Sequence, residues 1–599
     1  MKKNFKLVLA LVLSVMMILG SVAALADDPA AATPAYDGKV SVTALAKGDV
    51  AHFYKVVEWV GEATGNVKGW KVVSPFSFDL NAVLVGTPAD NTVDSPVAAV
   101  AATGITAALA NTLAATPNKV EAGSDTVGDD GIAELDVTGT GKGPGLYMVL
   151  ITPANPDVVY NPVFVSSDYT AGGSNTWAIT EDATYSNNAA AKKSTTTLTK
   201  TASTVESDPD DVKWITTAIG DTVHFTVTTT IPGFGPAFID PFFKMTDKLT
   251  DLTLVSGSVK VTSPAEAKAA AHIVEGADQY SIDWNETAGK AYLATVVTPT
   301  LVTVEYDAKV ATTAPYNINR EKNEVWTEFS HDINNTSDHS FKKDDTVHYT
   351  FTIDADVIAG TEESEGIKGS EIVKVGRKAD GSPINETTNY SKITKTESWE
   401  GPQAEAHFKL YRDAACTQEY IPNGASTGLD IVSGADGRMK IAGLDAGKYW
   451  LKEDSCPAGF VMDTHVAAIV ISTVESEKDV TEYTKDGITW ISAEAYNALE
   501  DKSGYKSYSY KVPTIDSYTI TINGVKTAEY HFENKGTESE IKWTVNPPEE
   551  KPHQFINNEG LQLPSTGGIG TTIFYIGGSI LVLAAAILLI TKRRMGNND

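Results

Sequence analysis

β-Branched and aromatic residues alternate with polar residues in many short stretches of this chain. Clear examples are residues 223–228, 302–306 and 518–522. A period of two is typical of strands that bury one face and expose the other. Long amphipathic helical patterns are scarce between the two ends of the chain. The pattern therefore predicts an all-β protein built from tandem antiparallel β-sandwich domains.

A continuous apolar stretch near the N-terminus departs from this alternation. Three lysines precede the stretch from Leu7 to Leu19, and Ala24-Leu25-Ala26 supplies small residues for cleavage. This arrangement is typical of a secretory signal peptide, which we assign to residues 1–26. The sequence therefore predicts an exported protein.

A second apolar stretch, residues 571–590, lies near the C-terminus and is long enough to cross a bilayer as a helix. The basic residues 592–594 follow it and would hold the C-terminus on the cytoplasmic side. The pentapeptide Leu563, Pro564, Ser565, Thr566 and Gly567 stands directly before the stretch.

This order of pentapeptide, apolar span and basic tail resembles the cell-wall sorting signal of Gram-positive surface proteins. The resemblance implies that a sortase cleaves between Thr566 and Gly567 and transfers the Thr566 carbonyl to an amine. An ordinary single-span anchor with a chance pentapeptide is the alternative. The resemblance predicts cell-wall anchoring to peptidoglycan, with transient membrane anchoring through the C-terminal helix.

Charge and motif content exclude other classes of protein. The formal net charge is -29, and processing at both ends removes mostly basic residues. Nucleic-acid binding needs a basic face, so that function is excluded, whereas an acidic surface suits an extracellular protein. The histidines show no HxH or HExxH spacing, and no Gly-x-Ser-x-Gly sequence is present. We therefore expect no metal, no cofactor and no enzymatic turnover of an external substrate.

Changes in composition divide the chain into segments. Small polar residues with two adjacent lysines mark a first junction, a Gly/Glu-rich stretch marks a second, and prolines among charges mark a spacer. The predicted segments are a signal peptide at 1–26, an N-terminal domain at 27–192, a middle domain at 193–369, a C-terminal domain at 370–536, a wall spacer at 537–562 and the sorting signal at 563–599.

Cys416 and Cys456 are the two cysteines of the chain. In an exported protein the oxidising environment favours one disulfide between them. Two free thiols are the alternative.

The C-terminal domain carries the most specific internal motif. Tyr449-x-Leu451-x-Glu453, followed by Pro457-x-Gly459-Phe460, resembles the "E-box" of Gram-positive pilins. Residues 408–411 and 443–447 resemble strands of the collagen-adhesin B-type domain. The chain thus resembles the backbone subunit, or major pilin, of a sortase-assembled pilus.

This resemblance implies tandem Ig-like domains, each stabilised by an intramolecular Lys–Asn isopeptide bond beside a carboxyl group. The implied partners are sortase, other copies of the chain in a covalent homopolymer, minor pilins, peptidoglycan and host surface ligands. A monomeric wall-anchored adhesin, or a minor pilin at the tip or base, is the alternative.

Elementary chemistry explains why a lysine, a carboxyl group and an asparagine are needed together. An exposed lysine is protonated at neutral pH and cannot act as a nucleophile. Burial lowers the pKa of a lysine and raises that of a carboxyl group. A neutral amine can then attack the Asn amide carbon while the protonated carboxyl polarises the amide and shuttles protons. The reaction occurs once per molecule and needs no cofactor.

Candidate residues for this reaction occur in the middle domain. Lys200 opens the first strand, Asp247 lies in a segment resembling the family's Asp-x-Leu strand, and Asn323 fits the last strand. Asn317 and Asn319 are alternative partners of the lysine.

The C-terminal domain offers a second set. Glu453 is the expected carboxyl, and Asn534 fits the last strand. Lys374 is the favoured lysine because its apolar neighbours would bury it. Lys395 is the alternative, since it lies closer to the strand at 408–411.

A pilus also needs an acceptor lysine. In the family this lysine follows Trp and Tyr-Pro at the end of the first domain. Here Trp177 and Tyr185 are followed by Asn187, which stands where the lysine is expected. Lys192 is the favoured replacement, with Lys193 as the alternative.

Overall fold

The computed structural model describes residues 38–595 with short gaps. The residues left out within this range are 61–68, 81–82, 86–98, 101–103, 139–141, 144, 168, 173–175, 180–186, 205–207, 213, 312–320, 350, 355–356, 359–366, 369–371, 386–387, 393–394, 488, 535–540, 547–552 and 561–568. The predicted signal peptide, Asn317, Asn319 and the pentapeptide at 563–567 lie outside the described residues.

The first domain is a β-sandwich, and its described residues include one short helix, α1. One sheet has the order β10-β8-β2-β3, with β6 also paired to β2, and a second sheet has the order β13-β1-β7. The elements are β1 (Lys39–Thr43), β2 (Val50–Val60), β3 (Gly69–Val72), β4 (Leu84–Val85), β5 (Ala99–Val100), α1 (Ala107–Ala114), β6 (Gly123–Thr126), β7 (Ala133–Asp136), β8 (Gly145–Thr152), β9 (Val158–Tyr160), β10 (Val163–Ser167), β11 (Tyr169–Gly172), β12 (Thr176–Ile179), β13 (Asn188–Ala190) and β14 (Lys193–Thr195).

The middle domain has two facing sheets, β16-β15-β18-β24-β20 with β21 paired to β24, and β17-β26-β25-β19-β23-β22. Its elements are β15 (Leu198–Thr204), β16 (Asp208–Val212), β17 (Trp214–Thr216), β18 (Thr222–Ile231), β19 (Phe243–Leu249), β20 (Leu252–Leu254), β21 (Lys260–Ser263), α2 (Ala265–Ala270), β22 (His272–Glu275), β23 (Gln279–Asp283), α3 (Thr287–Leu293), β24 (Thr300–Val310), β25 (Glu321–Ser330) and β26 (His339–Tyr349).

The third domain combines a large sheet, β34-β33-β36-β38-β40-β41-β42 with β39 paired to β38, and a small sheet, β30-β43-β37. Its elements are β27 (Phe351–Asp354), β28 (Val357–Ile358), β29 (Ile367–Lys368), β30 (Ile372–Arg377), β31 (Thr388–Lys392), β32 (Lys395–Trp399), β33 (His407–Tyr411), β34 (Ile431–Val432), β35 (Lys440–Leu444), β36 (Gly447–Ser455), β37 (Phe460–Val461), β38 (Val466–Thr484), β39 (Ile491–Ser492), α4 (Ala493–Asn497), β40 (Lys506–Ile522), β41 (Val525–Asn534), β42 (Ile541–Asn546) and β43 (His553–Glu559).

The alternating sequence pattern produces the expected burial. Along β18 and β24, buried and partly exposed residues alternate, so that Val223, Phe225 and Val227 face the core with Val304 and Tyr306. Burial of such side chains is the main favourable term in folding and holds the two sheets together. The prediction of an all-β fold is confirmed.

Two domain boundaries differ from the sequence prediction. β14 pairs with β9, so the first domain continues past residue 192 to Thr195. β27 pairs with β35, so the third domain begins near Phe351 and not at residue 370. In both places residues predicted to form a junction instead pair with another strand of the domain, because a few residues are enough to form a strand.

The predicted wall spacer is also wrong in its C-terminal half. β43 pairs in parallel with β30 and antiparallel with β37. Phe555 is fully buried against Phe408, so residues 553–559 form part of the third domain. The prolines and charged residues before β43 led to the prediction of a spacer. The strand itself is mostly polar, but its buried Phe555 holds it in the domain.

A long hairpin of the third domain reaches the middle domain. We define the arm as residues 475–484 of β38 and 506–515 of β40, which pair along their whole length. The Tyr508 hydroxyl lies 3.1 Å from the Phe341 backbone nitrogen, and the Lys506 ammonium lies 2.7 Å from Asp338. The arm therefore lies against β26.

The C-terminal apolar stretch forms α5 (Ile569–Met595), as the sequence predicts. Within it, residues Ile573–Arg594 are long and apolar enough to cross a membrane. Lys592, Arg593 and Arg594 occupy its last turn.

Candidate functional sites

The structure brings Lys200, Asp247 and Asn323 together in the core of the middle domain. All three side chains are fully buried. The Lys200 Nζ lies 2.8 and 2.7 Å from the two oxygens of Asp247 and 2.6 Å from Oδ1 of Asn323. The nucleophile, the carboxyl group and the amide thus occupy one closed pocket.

The sheet topology explains this convergence. Lys200 lies on β15 of one sheet, whereas Asp247 and Asn323 lie on β19 and β25, which are neighbours in the facing sheet. Leu249 pairs with Asn323, so the carboxyl and the amide are two residues apart in register and point to the same face. A bond from Lys200 to Asn323 would join the two sheets.

Two tyrosines complete the pocket. The hydroxyls of Tyr280 and Tyr306 donate to Oδ2 of Asp247 at 3.2 and 3.1 Å. The Tyr306 hydroxyl also accepts a hydrogen bond of 2.7 Å from Nδ2 of Asn323. Lys200 Nζ lies 5.3 Å from the centre of the Phe225 ring and 5.4 Å from that of Tyr306.

Burial shifts both charged groups toward their neutral forms. It lowers the pKa of Lys200 to about 8, although the Asp247 carboxylate acts in the opposite direction. It also raises the pKa of Asp247, again against the pull of Lys200. Both shifts favour the neutral forms, and a neutral amine beside a protonated carboxyl group is what attack on the amide requires.

The third domain holds a second buried set of the same residue types. The Lys374 Nζ lies 3.0 Å from Oε2 of Glu453, and Nδ2 of Asn557 donates to Oε1 of Glu453 at 2.7 Å. All three residues are fully buried. Lys374 and Asn557 lie on the parallel strands β30 and β43, and Glu453 faces them from β36.

The asparagine of this site is Asn557, and the expected partner Asn534 lies on a different strand. Asn534 ends β41, which pairs with β40 and β42, whereas the strand beside Lys374 is β43. The side chains of Asn534 and of the alternative lysine, Lys395, lie outside the described residues. In the sequence, Phe555 and Asn557 two residues apart are the signal of a half-buried strand.

A main-chain donor contacts the amide oxygen in this second site. The backbone N–H of Asp463 donates to Oδ1 of Asn557 at 2.9 Å and lies 3.0 Å from Oε2 of Glu453. An N–H group can only donate, so it fixes the amide with its oxygen toward Asp463 and its nitrogen toward Glu453. Nothing in the sequence motif pointed to Asp463.

The Asp463 side chain holds this segment in place. Its Oδ2 accepts from the Ile556 N–H at 2.9 Å, and its Oδ1 lies 2.7 Å from Nδ1 of His465. Nε2 of His465 lies 3.0 Å from Nε2 of His553. Burial lowers the pKa of His553 to about 4, and His465 acts in the same direction, so His553 is neutral near neutral pH.

The two sets share a common chemistry with different geometry. Burial lowers the pKa of Lys374 as it lowers that of Lys200, with the neighbouring carboxylate opposing it in each case. Each set holds an amine, a carboxyl group and an amide away from water, the arrangement needed for condensation with loss of ammonia. Among the residues that the structure describes, no group of three or more His, Cys, Asp or Glu side chains is placed to hold a metal ion.

The predicted disulfide is absent, because both cysteines are free thiols. In the β33/β36 ladder, His407 pairs with Ser455 and Tyr411 pairs with Trp450. Cys456 therefore lies at one end of this strand pair and Cys416 beyond the other. Four residues of strand correspond to about 13 Å, whereas a disulfide needs Cα atoms within about 7 Å.

Lys192 and Lys193 are both exposed. Lys192 lines a groove of about 450 Å³ between the first and middle domains, and Lys193 opens β14. Asn187, at the expected lysine position, accepts a hydrogen bond from the Ser41 N–H through its carbonyl and is only partly exposed. The groove is lined mainly by apolar and backbone groups, from residues 105, 107, 110, 161–164, 189, 190, 192, 234–237 and 297.

The fold and the two chain ends define a class of protein. Residues 389–486 match the prealbumin-like fold domain of the SpaA type, and residues 557–595 match the LPXTG cell wall anchor motif. The chain is therefore a cell-wall-anchored surface protein that carries a β-sandwich domain of the prealbumin-like type.

Three solved structures of pilus subunits are similar to this chain at low identity. The first is a backbone pilin of Streptococcus pyogenes serotype M6, with 15% identity and a TM-score of 0.47 over 87% of this chain and 98% of that one. The second is the major pilin SpaD of Corynebacterium diphtheriae, with 16% identity and a TM-score of 0.38 over 72% of this chain and 91% of that one. The third is BcpA, the major pilin subunit of Bacillus cereus, with 13% identity and a TM-score of 0.39 over 87% of this chain and 99% of that one. A comparison with the curated proteins finds no match.

Proposed function

We propose that this chain is the backbone subunit of a covalently polymerised surface pilus. Sortase cleaves it between Thr566 and Gly567, and the Thr566 carbonyl is joined to Lys192 of the next copy. Intramolecular bonds from Lys200 to Asn323 and from Lys374 to Asn557 stabilise each subunit. They form without an external enzyme, promoted by Asp247 and Glu453.

The observation that carries this proposal is the pair of buried lysine–carboxyl–asparagine sets. A single buried lysine paired with a carboxylate would be an ordinary buried ion pair that needs no chemical role. Two sets in different domains, each with an amide bonded within the same buried cluster as the lysine and the carboxyl group, are what covalent self-stabilisation requires. A covalent bond between strands keeps a domain from being pulled open, which is useful to a fibre that is pulled from both ends.

The groove supports Lys192 as the acceptor over Lys193. An acceptor must be exposed, because an enzyme-bound acyl group has to reach it, and both lysines meet this condition. Only Lys192 of the two lines the groove, whose volume lies within the range of about 300–1,000 Å³ typical of ligand sites. An extended peptide of the donor subunit can therefore lie beside it.

Intact mass tests the internal bonds. Each condensation releases one ammonia, so the mature chain should weigh less than its sequence mass by about 17 Da per bond. We expect two such losses, one of which disappears in Lys200→Ala and the other in Lys374→Ala. A mature chain with the full sequence mass would contradict the internal bonds.

Immunoblotting of boiled, detergent-treated cell walls tests polymerisation. The wild type should give a ladder of covalent multimers, and Lys192→Ala should reduce it to a monomer while Lys193→Ala leaves it intact. A ladder that survives both substitutions would place the acceptor at another lysine. A monomer band in the wild type would instead favour a wall-anchored adhesin.

A further inference from the structure

The two buried sets differ in how the carboxyl group reaches the asparagine. In the third domain, Glu453 accepts directly from Nδ2 of Asn557 at 2.7 Å. In the middle domain, the described hydrogen bonds of Asp247 go to Lys200, Tyr280 and Tyr306. There the group bonded to Nδ2 of the asparagine is the Tyr306 hydroxyl.

The leaving nitrogen needs a proton that this geometry must deliver. A neutral lysine amine loses one proton when it forms the new amide, and the departing –NH₂ group must gain one to leave as ammonia. Asp247 contacts the amine, and among the described hydrogen bonds its link to the departing nitrogen runs through Tyr306, whose oxygen lies 3.1 Å from Oδ2 and 2.7 Å from Nδ2. The tyrosine hydroxyl therefore bridges the proton donor and the leaving group.

We propose that Tyr306 is a catalytic residue that relays a proton from Asp247 to the departing nitrogen of Asn323. This inference rests on the proposed Lys200–Asn323 bond. In the resting amide the nitrogen lone pair is conjugated, so Nδ2 donates to Tyr306. After Lys200 attacks Cγ, the nitrogen becomes tetrahedral and its lone pair becomes an acceptor.

Formation of the Lys200–Asn323 bond then balances in atoms and charge. The Nζ lone pair forms the Nζ–Cγ bond, and the C=O electrons move to Oδ1. Protonated Asp247 gives its proton to the Tyr306 oxygen while Tyr306 gives its own to Nδ2. The C–N bond breaks as the C=O re-forms, ammonia leaves, and Asp247 takes the surplus proton from Nζ. Both Asp247 and Tyr306 end in their starting protonation states.

The environment favours a relay in which both protons move together. Burial and the nearby Asp247 carboxyl raise the pKa of Tyr306 well above its ordinary value, so a free phenolate is not formed. The ring is held by stacking on Phe225 at 4.9 Å and by an edge contact with Tyr280 at 4.8 Å. The hydroxyl is thus fixed in place while its proton can move.

Tyr280 provides a matched control on the same carboxyl group. Its hydroxyl donates to the same Oδ2 of Asp247 and it is equally buried, but its described hydrogen bond does not involve Asn323. Tyr306→Phe and Tyr280→Phe each remove one hydroxyl and keep the ring. Only Tyr306→Phe removes the path to the leaving nitrogen.

The test follows bond formation in freshly synthesised mature chain by intact mass and by mapping of cross-linked peptides. Tyr306→Phe should slow the Lys200–Asn323 bond by at least about 100-fold, the usual contribution of general acid catalysis. Tyr280→Phe should slow it by less than about tenfold. The Lys374–Asn557 bond in the same molecules should form at the wild-type rate in both variants.

Three outcomes would overturn the relay: a normal rate in Tyr306→Phe, an equal slowing in both variants, or an unfolding temperature of Tyr306→Phe below that of the unbonded Asn323→Ala reference. The last would show that Tyr306 acts through packing. Failure of the proposed function is distinct, because the wild type itself would then lack the Lys200–Asn323 cross-link.

Discussion

Lys342 and Lys343 are adjacent on β26, yet they form ion pairs with different domains. The Lys342 ammonium pairs with Asp157 of the first domain, whereas that of Lys343 pairs with Glu482 on the arm of the third domain. Successive side chains of a strand point to opposite faces. β26 therefore contacts both neighbours of the middle domain.

Lys343 shows what a buried lysine does when two carboxylates surround it. Its ammonium lies 2.9 Å from Glu324, also pairs with Glu482, and lies 4.8 Å from the Trp490 ring centre. Burial lowers its pKa, but the two carboxylates outweigh this effect and raise the pKa above the ordinary value. Lys343 therefore stays charged and acts as an anchor, unlike Lys200 and Lys374.

Substitution of this anchor should release the arm. Lys343→Met leaves Glu482 buried without its partner, which should destabilise the contact by about 3 kcal/mol. Hydrogen exchange should become faster in residues 506–515. Lys342→Met is the matched control, because it should affect residues 155–158 of the first domain and leave the arm protected. Unchanged exchange of the arm in Lys343→Met would contradict this role.

Asn557 and Asn534 can be distinguished directly. Asn557→Ala should abolish the mass loss of the third domain, while Asn534→Ala should keep it. By analogy with disulfides, closing a loop of this size contributes about 4–5 kcal/mol, so Asn557→Ala should also lower the unfolding temperature of that domain. Calorimetry and intact mass measure the two effects. A mass loss that persists in Asn557→Ala would assign the acceptor amide elsewhere.

Asp463 should govern the rate of the second bond without touching the first. Its N–H is placed to stabilise negative charge on Oδ1 of Asn557 during attack, a contribution of about 100- to 1,000-fold in rate. Asp463→Ala removes the side-chain bond to Ile556 that positions this N–H, so bond formation in the third domain should slow markedly.

Asp463→Asn provides the control for that experiment, since its amide oxygen can still accept from Ile556. It should restore most of the rate, measured as appearance of the Lys374–Asn557 cross-link. Equal rates in wild type and Asp463→Ala would exclude a positioning role.

Asp445 should make the contact between the middle and third domains sensitive to pH. Burial raises its pKa to about 7, opposed by a hydrogen bond from Thr216 and reinforced by Asp221. A raised pKa means that the folded state holds its proton more tightly than the unfolded state. The stabilising contribution is therefore complete below about pH 4 and is lost as pH rises to about 7.

Asp445→Asn should remove this dependence, because the amide stays neutral. At pH 8 the variant should be more stable than the wild type by on the order of 3 kcal/mol, and at pH 4 the two should be similar. Calorimetric scans across this range measure the effect, with the exposed Asp430→Asn as control. A wild type equally stable at pH 5 and pH 8 would contradict the prediction.

The structure could be predicted from the sequence where the local pattern of apolar and polar residues matches the burial of those residues in the fold. Alternation along residues 223–228 and 302–306 identifies strands because one face meets the core. Lys374 could be chosen over Lys395 because its neighbours are apolar, and the structure places Lys374 beside Glu453.

The remaining features depend on which strands become neighbours. Asn557 lies in a polar stretch and gains its place only through parallel pairing of β43 with β30. The Asp463 N–H reaches its site through the path of the backbone, and the Tyr306 hydroxyl reaches its site through contact with the facing sheet. Neither can be predicted from a short sequence motif. The cysteine prediction failed for the same reason, since strand register separates residues that composition alone would pair.

The inclusion of β43 in the third domain also bears on the order of events during export. The chain leaves the cell from its N-terminus, so the middle domain has Lys200, Asp247 and Asn323 outside long before Asn557 emerges. Folding of the third domain must wait for its final strand, which ends only a few residues before the proposed cleavage site at Thr566. The eight residues between Gly560 and α5 span at most about 30 Å. The last domain therefore finishes folding close to the membrane surface, where the proposed sortase cleavage would take place.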